Sequence, residues 1–250
     1  MFIGDLRIHA DANTLMEAVA KRWLEIANEA FSARGKFHVA LSGGSTPRGL
    51  YRLLALPKFA ERIPWDRVHI YFGDERTVPP DHNDSNFRMV KEALLDHVAI
   101  PLAHIHRIKG ELEDPHDAAG EYTRELTTNL PLSAQGVVQF DLLLLGVGSD
   151  GHIASLFPAT PVLHERARLV EAVHVEKLDS WRITLTLPVI DHARHVLILV
   201  SGDAKATIIR DVFAARRTPP YPVQLINPQG MLEWHLDQAA AALLPEELRS

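Results

Sequence analysis

Asp150-Gly151-His152 sets a carboxylate two residues from an imidazole, inside the glycine-rich run Gly146-Val147-Gly148-Ser149-Asp150-Gly151 that follows an apolar stretch. An imidazole with an ordinary pKa of ~6.5 can take a proton near neutral pH, and an adjacent carboxylate can orient it or stabilise its charged form. That is a general-base arrangement, His152 steered by Asp150. The chain holds 14 histidines, so His152 gains its weight from its loop rather than its type. His9, His97, His164 and His195 have no comparable setting.

Three further groups could bind an anion. In Ser42-Gly43-Gly44-Ser45-Thr46-Pro47 the glycines let backbone approach a ligand, and a helix starting there would point unpaired N–H groups at a phosphate. The same loop also reads as a tight strand-to-helix turn, and no Gly-Lys-Ser/Thr follows to make it a P-loop. Asp74-Glu75-Arg76 could pair a carboxylate for proton transfer with an arginine for an anion, or be a surface salt bridge. Arg182 and Lys205, at the ends of apolar segments, could close a phosphate pocket or simply be solvated charges.

Gly146 to Gly151 literally matches G-x-G-x-x-G, with Glu171 twenty residues beyond Gly151 where a ribose-binding acid would sit. Asp150 would oppose a pyrophosphate, however, and Pro158 leaves seven residues for the helix that fingerprint needs. A dinucleotide is therefore not expected. Asp74, His82, Asp150 and His152 show no metal-ligand spacing, so no metal is expected. Neither Ser45 nor Ser149 is flanked as a serine nucleophile elbow requires.

These loops need elements to hold them. Leu15, Val19, Trp23, Ile26 and Ala30 recur at helical spacing between a Thr14/Glu17 capping box and Gly35, which predicts a helix near 12–34. Phe37 to Leu41 and Val68 to Phe72 read as strands, the first running into a helix capped by a serine or threonine with Pro47 in its first turn. The second ends in a polar loop, from which Ser85 caps a helix carrying Phe87, Val90 and Leu94. A helix over 114–128 precedes the strand Phe140 to Leu145, and Gly146 to Gly151 should turn into a short helix. Leu169 to Val173, Ile183 to Leu187 and Val196 to Val200 supply strands, with a helix from Asp203 to Phe213. This alternation predicts a mostly parallel, doubly wound α/β sheet in one domain over 1–250, with Thr218-Pro219-Pro220 a surface turn. In such sheets ligands sit at the carboxyl ends of the strands, where the three loaded loops fall.

With 46% hydrophobic and 23% charged residues, the 250-residue chain has the composition of a globular domain. The balance of 26 Lys and Arg against 32 Asp and Glu gives no overall pull on nucleic acid or anionic lipid, so any bound anion must be held locally. No cysteine is present, which excludes disulfides, thiolate nucleophiles and thiolate metal sites and suits a reducing cytoplasm. Met1 to Ala10 has no leader pattern, and no run approaches the ~20 apolar residues of a membrane span.

Leu41 to Pro47, Gly73 to Arg76 with Ser85-Asn86 downstream, and Gly146 to Pro158 together resemble the 6-phosphogluconolactonase family, as do Arg182-Ile183-Thr184, Gly202 to Lys205 and the tail around Trp234. The resemblance implies a Rossmann-like sheet of the sugar-phosphate isomerase type and hydrolysis of 6-phospho-D-glucono-1,5-lactone in the oxidative pentose-phosphate pathway. By resemblance, His152 activates the water and Asp150 orients it, while Ser42, Gly43, Gly44, Ser45, Thr46, Asp74, Arg76, Asn86, Gly148, Arg182 and Lys205 bind substrate. It implies no cofactor, since ester hydrolysis moves neither hydride nor carbanion. A cytoplasmic monomer or small homo-oligomer, without nucleic-acid or membrane partners, is expected. The related glucosamine-6-phosphate deaminases carry a tyrosine where this chain has Arg76 and a glutamate at Phe157, which sets that branch second. A non-catalytic sugar-phosphate sensor would have had no need to keep Asp150-Gly151-His152.

Overall fold

The computed structural model describes residues 4–214 and 218–249. In chain order the regular elements are β1 (Asp5–His9), α1 (Ala12–Arg34), β2 (Phe37–Leu41), α2 (Ser45–Leu54), α3 (Pro57–Ala60), β3 (Val68–Phe72), β4 (Asp74–Arg76), α4 (Asn86–Ala93) and α5 (Pro115–Asn129). There follow β5 (Leu142–Leu145), β6 (Val170–Val175), β7 (Ser180–Leu185), α6 (Leu187–His192), β8 (His195–Val200), α7 (Ala206–Phe213) and β9 (Met231–Asp237). The expected helix at 12–34 and the strands at 37–41 and 68–72 stand at those bounds.

Six strands form one parallel sheet in the order β1-β9-β8-β5-β2-β3. Every residue of β2, β3, β5 and β8 is buried, as strands covered on both faces must be. Because alternate side chains leave a strand on opposite faces, Phe37 meets Trp23 of α1 edge-on at 5.4 Å while His38 pairs in register with His69 on the other face. That second face is closed by His104, His106 and α5. The strand order reverses between β5 and β2, and the loops after both open into the crevice that such a reversal leaves.

Two tyrosines fix where the chain leaves β2 and β3. The buried Tyr51 hydroxyl of α2 accepts from Ser42 N–H at 3.0 Å and donates to Ser42 C=O at 2.8 Å. Tyr122 of α5 does the same for Phe72, at 2.8 and 3.0 Å. Each peptide group just leaving, or just ending, a strand thus has its hydrogen bonds met inside the core, where an unmet group would be costly.

Several local expectations are corrected. The cap of α1 is Asp11, whose carboxylate accepts from Thr14 N–H at 2.8 Å, so Thr14 and Glu17 form no capping box. Helix α2 starts at Ser45 from Gly44 without a side-chain cap. The segment Asp74–Arg76 is not loop but β4, antiparallel to β7 in a second sheet of order β4-β7-β6. Its partner is about a hundred residues away in sequence, and such non-local pairing leaves no local pattern. No helix follows Gly151: Ser155 N–H donates to Thr184 Oγ1 at 3.1 Å and its hydroxyl to Asp74 at 2.6 Å, while Ala154 and Ala159 lie in the left-handed region. Tertiary bonds there replace helical ones. Strands β1 and β9 were not foreseen. No helix among the described residues is long and apolar enough to cross a membrane.

Candidate active site

The loops after β2, β5 and β8, with β4 and the β6–β7 hairpin, enclose a cavity of about 450 Å³. Every residue expected at the site lines it: Ser42, Gly43, Gly44, Ser45 and Thr46 from the first loop, Asp74, Arg76 and Asn86 from β4 and α4, Gly148, Asp150 and His152 from the loop after β5, and Arg182 and Lys205.

The loop after β5 folds on itself to build the dyad. Gly148 N–H donates to His152 C=O at 2.8 Å, and Gly151 takes the left-handed conformation, φ 76°, that turns the chain back. Asp150 Oδ1 accepts from His152 Nδ1 at 2.6 Å and from His152 N–H at 3.3 Å. The carboxylate therefore fixes Nδ1 as the protonated nitrogen and leaves Nε2 basic. A Cβ on Gly148 would stand 2.0 Å from His152 Nδ1, so only glycine admits the imidazole here. Phe157 stacks on the same ring with centroids 4.1 Å apart. Burial lowers the His152 pKa to about 4, with Asp74 opposing and Lys205, Arg182 and Arg76 adding to the fall, so the imidazole is a free base at neutral pH.

Three cations, Arg76, Arg182 and Lys205, line the same cavity and form no ion pair among the described residues. Arg76 donates to Asp84 C=O, Arg182 to Ser180 Oγ and Trp181 C=O, and Lys205 to Val147 C=O at 2.7 Å. Burial pulls the pKa of both Arg182 and Lys205 down, and Arg76 adds to the effect on Arg182. Asp74 and Asp150 also line the site, but each is engaged by another group, Asp74 by Ser155 and Asn86 and Asp150 by His152, which leaves the three cations to give the cavity the electrostatics of an anion pocket. Ser45 and Thr46, which open α2 and so have no intrahelical acceptor for their N–H groups, line the same space.

Asp74 and Glu75 are buried rather than a surface salt bridge. Asp74 Oδ2 accepts from Ser155 Oγ at 2.6 Å and Oδ1 from Asn86 Nδ2 at 3.2 Å. Asn86 in turn reaches over Gly43, where a Cβ would stand 2.0 Å from its Oδ1. Glu75 points away, accepting from Ser85 Oγ and from Asn86 and Phe87 N–H at the start of α4, a structural anchor for a helix N-terminus.

Ser155, Phe157, Lys177 and Leu178 also line the cavity and were not expected as site residues. Ser155 and Phe157 lie in the segment that carries the resemblance, which was a usable signal. Lys177 and Leu178 sit at the β6–β7 tip, which no local motif marks. Among the described residues no group of three or more His, Asp or Glu is arranged to hold a metal ion.

Residues 10–234 match the model of the family described as glucosamine-6-phosphate isomerases/6-phosphogluconolactonase. The chain is 44% identical over 213 residues to a 6-phosphogluconolactonase of Synechocystis, covering 85% of this chain and 86% of that protein. It is 42% identical over 216 residues to one from Nostoc, covering 86% and 88%. The solved structure of 6-phosphogluconolactonase from Trypanosoma brucei superposes with a TM-score of 0.87 at 28% identity, covering 98% of this chain and 100% of that one.

Proposed function

The chain belongs to the family of glucosamine-6-phosphate isomerases and 6-phosphogluconolactonases, and within it we propose that this protein hydrolyses 6-phospho-D-glucono-1,5-lactone to 6-phospho-D-gluconate, a step of the oxidative pentose-phosphate pathway. The observation that carries this reading is His152, held by Asp150, in one cavity with Arg76, Arg182 and Lys205, none of which forms an ion pair among the described residues. A lactone with a distant phosphate presents the two features such a cavity distinguishes.

In this reading Arg76, Arg182, Lys205 and the start of α2 hold the phosphate, and Ser42, Gly43, Asp74 and Asn86 shape the wall beside the sugar ring. His152 Nε2 takes a proton from water as the oxygen attacks the lactone carbonyl. The tetrahedral adduct then breaks its bond to the ring oxygen, which receives that proton from the imidazolium and becomes a hydroxyl. The carboxylic acid ionises, so one water is consumed and one proton released. Asp150 stabilises the imidazolium between the two transfers, and general-base help of this kind contributes about 10²- to 10⁴-fold. Phe157 supports the lactonase over the deaminase branch, since an apolar face rather than a carboxylate lies against His152.

The reading further makes the chain a single-domain, cytoplasmic enzyme, monomeric or a small homo-oligomer, acting without cofactor and without nucleic-acid or membrane partners. It is tested by proton release from freshly prepared 6-phosphogluconolactone, corrected for spontaneous ring opening. A rate no greater than that background, with ammonia released from glucosamine 6-phosphate, would transfer the chain to the deaminase branch.

A further inference from the structure

The tip of the β6–β7 hairpin, Glu176 to Asp179, turns through a left-handed Asp179, φ 42°, and carries Lys177 to the cavity edge. Its ammonium donates to Asp150 Oδ2, the oxygen not used by His152, and lies 4.7 Å from the centroid of the Phe157 ring. Asp150 is the hydrogen-bond partner of His152 and Phe157 its stacking partner, so one side chain from a distant hairpin touches both supports of the imidazole. Lys177 is 50% exposed, and an ion pair that open to water contributes little to folding. A cation over an aromatic face adds only modestly to that. The contact therefore has more effect on the dyad than on the fold.

We propose that Lys177 is a positioning residue for the hydrolysis: by taking the second oxygen of Asp150 it holds the carboxylate in the rotamer that presents Oδ1 to Nδ1, and by sharing that charge it keeps the imidazole unprotonated. The proposal rests on His152 being the base. The charges facing His152 are Asp150 from its own loop, Asp74 and Arg76 from β4, Arg182 from β7 and Lys205 after β8. Without Lys177 the negative charge of Asp150 acts on the imidazole uncompensated and favours its protonated form. The carboxylate also becomes free to rotate away from Nδ1.

The test compares Lys177→Met and Lys177→Arg with the native enzyme by thermal melting, by NMR titration of the His152 imidazole and by the pH dependence of kcat and KM. Lys177→Met is expected to melt with the native protein, to raise the His152 pKa by about half a unit or more, and to lower kcat about three- to tenfold at neutral pH, where the imidazole is unprotonated in both enzymes and its lost orientation alone counts, with KM within about twofold. Lys177→Arg, which keeps the charge, is expected to restore most of both. An unmoved His152 titration with kcat unchanged would overturn the proposal. So would a rise in KM at constant kcat, which would make Lys177 a substrate ligand. A separate His152→Ala enzyme working at nearly full rate would instead overturn the base, and the NMR titration would still report whether the lysine governs the imidazole.

Discussion

Arg76 and Arg182 are directly opposed residues of the antiparallel β4–β7 pair, two like charges in register that form no ion pair among the described residues. Such a pair is destabilising in an empty site and is relieved when a dianion lies between the two guanidinium groups. Arg182→Met is therefore expected to weaken 6-phosphogluconate binding by ~1.5–3 kcal/mol, about ten- to a hundredfold, while leaving the ligand-free protein as stable or slightly more so. Calorimetric titration with 6-phosphogluconate and with unphosphorylated gluconate checks it. Equal losses for both ligands would place the arginine against the sugar instead.

Removal of the proposed base separates chemistry from binding. His152→Ala should lower turnover at least ~10²-fold, measured as initial rate above spontaneous opening, with 6-phosphogluconate affinity little changed. Near-normal turnover in a folded variant would remove His152 from the mechanism.

Gly148→Ala places a methyl where His152 Nδ1 now lies, 2.0 Å from the new carbon. The imidazole must leave its contact with Asp150, so kcat should fall nearly as far as in His152→Ala although both dyad residues are present. Crystallography of the variant would show the ring displaced; a ring in place with full activity would refute the steric argument.

Ligand binding should move the base in a defined direction. Arg76, Arg182 and Lys205 each help to lower the His152 pKa, which lies at about 4 in the empty site. A bound phosphate dianion offsets those charges and must raise it. NMR titration with and without saturating 6-phosphogluconate reads the shift, and a further fall on binding would put the anion elsewhere.

A second group of histidines lies away from the site, with His38 and His69 stacked at 4.8 Å and His69 on His104 at 4.0 Å. Burial first, then Lys36 and His106 for His38 and the adjoining His38 and His104 for His69, lower His38 from 6.5 to about 4 and His69 to about 3. The folded-state values lie below the unfolded ones, so the unfolded chain takes up protons that the folded chain refuses. Stability is complete above pH 6.5 and is lost as pH falls from there toward 4, by up to ~1.4 kcal/mol per unit for each proton. Urea unfolding between pH 7 and 5 should show this slope, and His38→Phe should flatten it.

How far the sequence exposed all this depended on the range of the interactions. The dyad was legible because Asp150, Gly151 and His152 close their own turn, so spacing alone carries the geometry. The strand-to-helix turn at Ser42 was legible for the same reason. Helix and strand bounds at 12–41 and 68–72 followed from periodicity, since apolar burial there repeats along one element. What was hidden needed a partner from elsewhere. Asp74–Arg76 is a strand only because β7 lies beside it, and Ser155 leaves the helical register only because Thr184 and Asp74 are there to bond it. Lys177 reaches the dyad through a hairpin tip without any motif of its own.

Among the described residues β1 pairs with β9 alone, and β9 is the last strand of the sheet, almost the whole chain later. During synthesis β1 must wait, unpaired, until β9 has been made. Asp237, at the end of β9, also holds Ser201 Oγ and Gly202 N–H beneath the turn that presents Lys205. A nascent chain short of β9 thus has an open sheet edge and an unanchored lysine together, so the cavity is complete only once β9 has been made. Closing contacts across so long a loop is slow, and until then the waiting edge is what chaperones would have to shield.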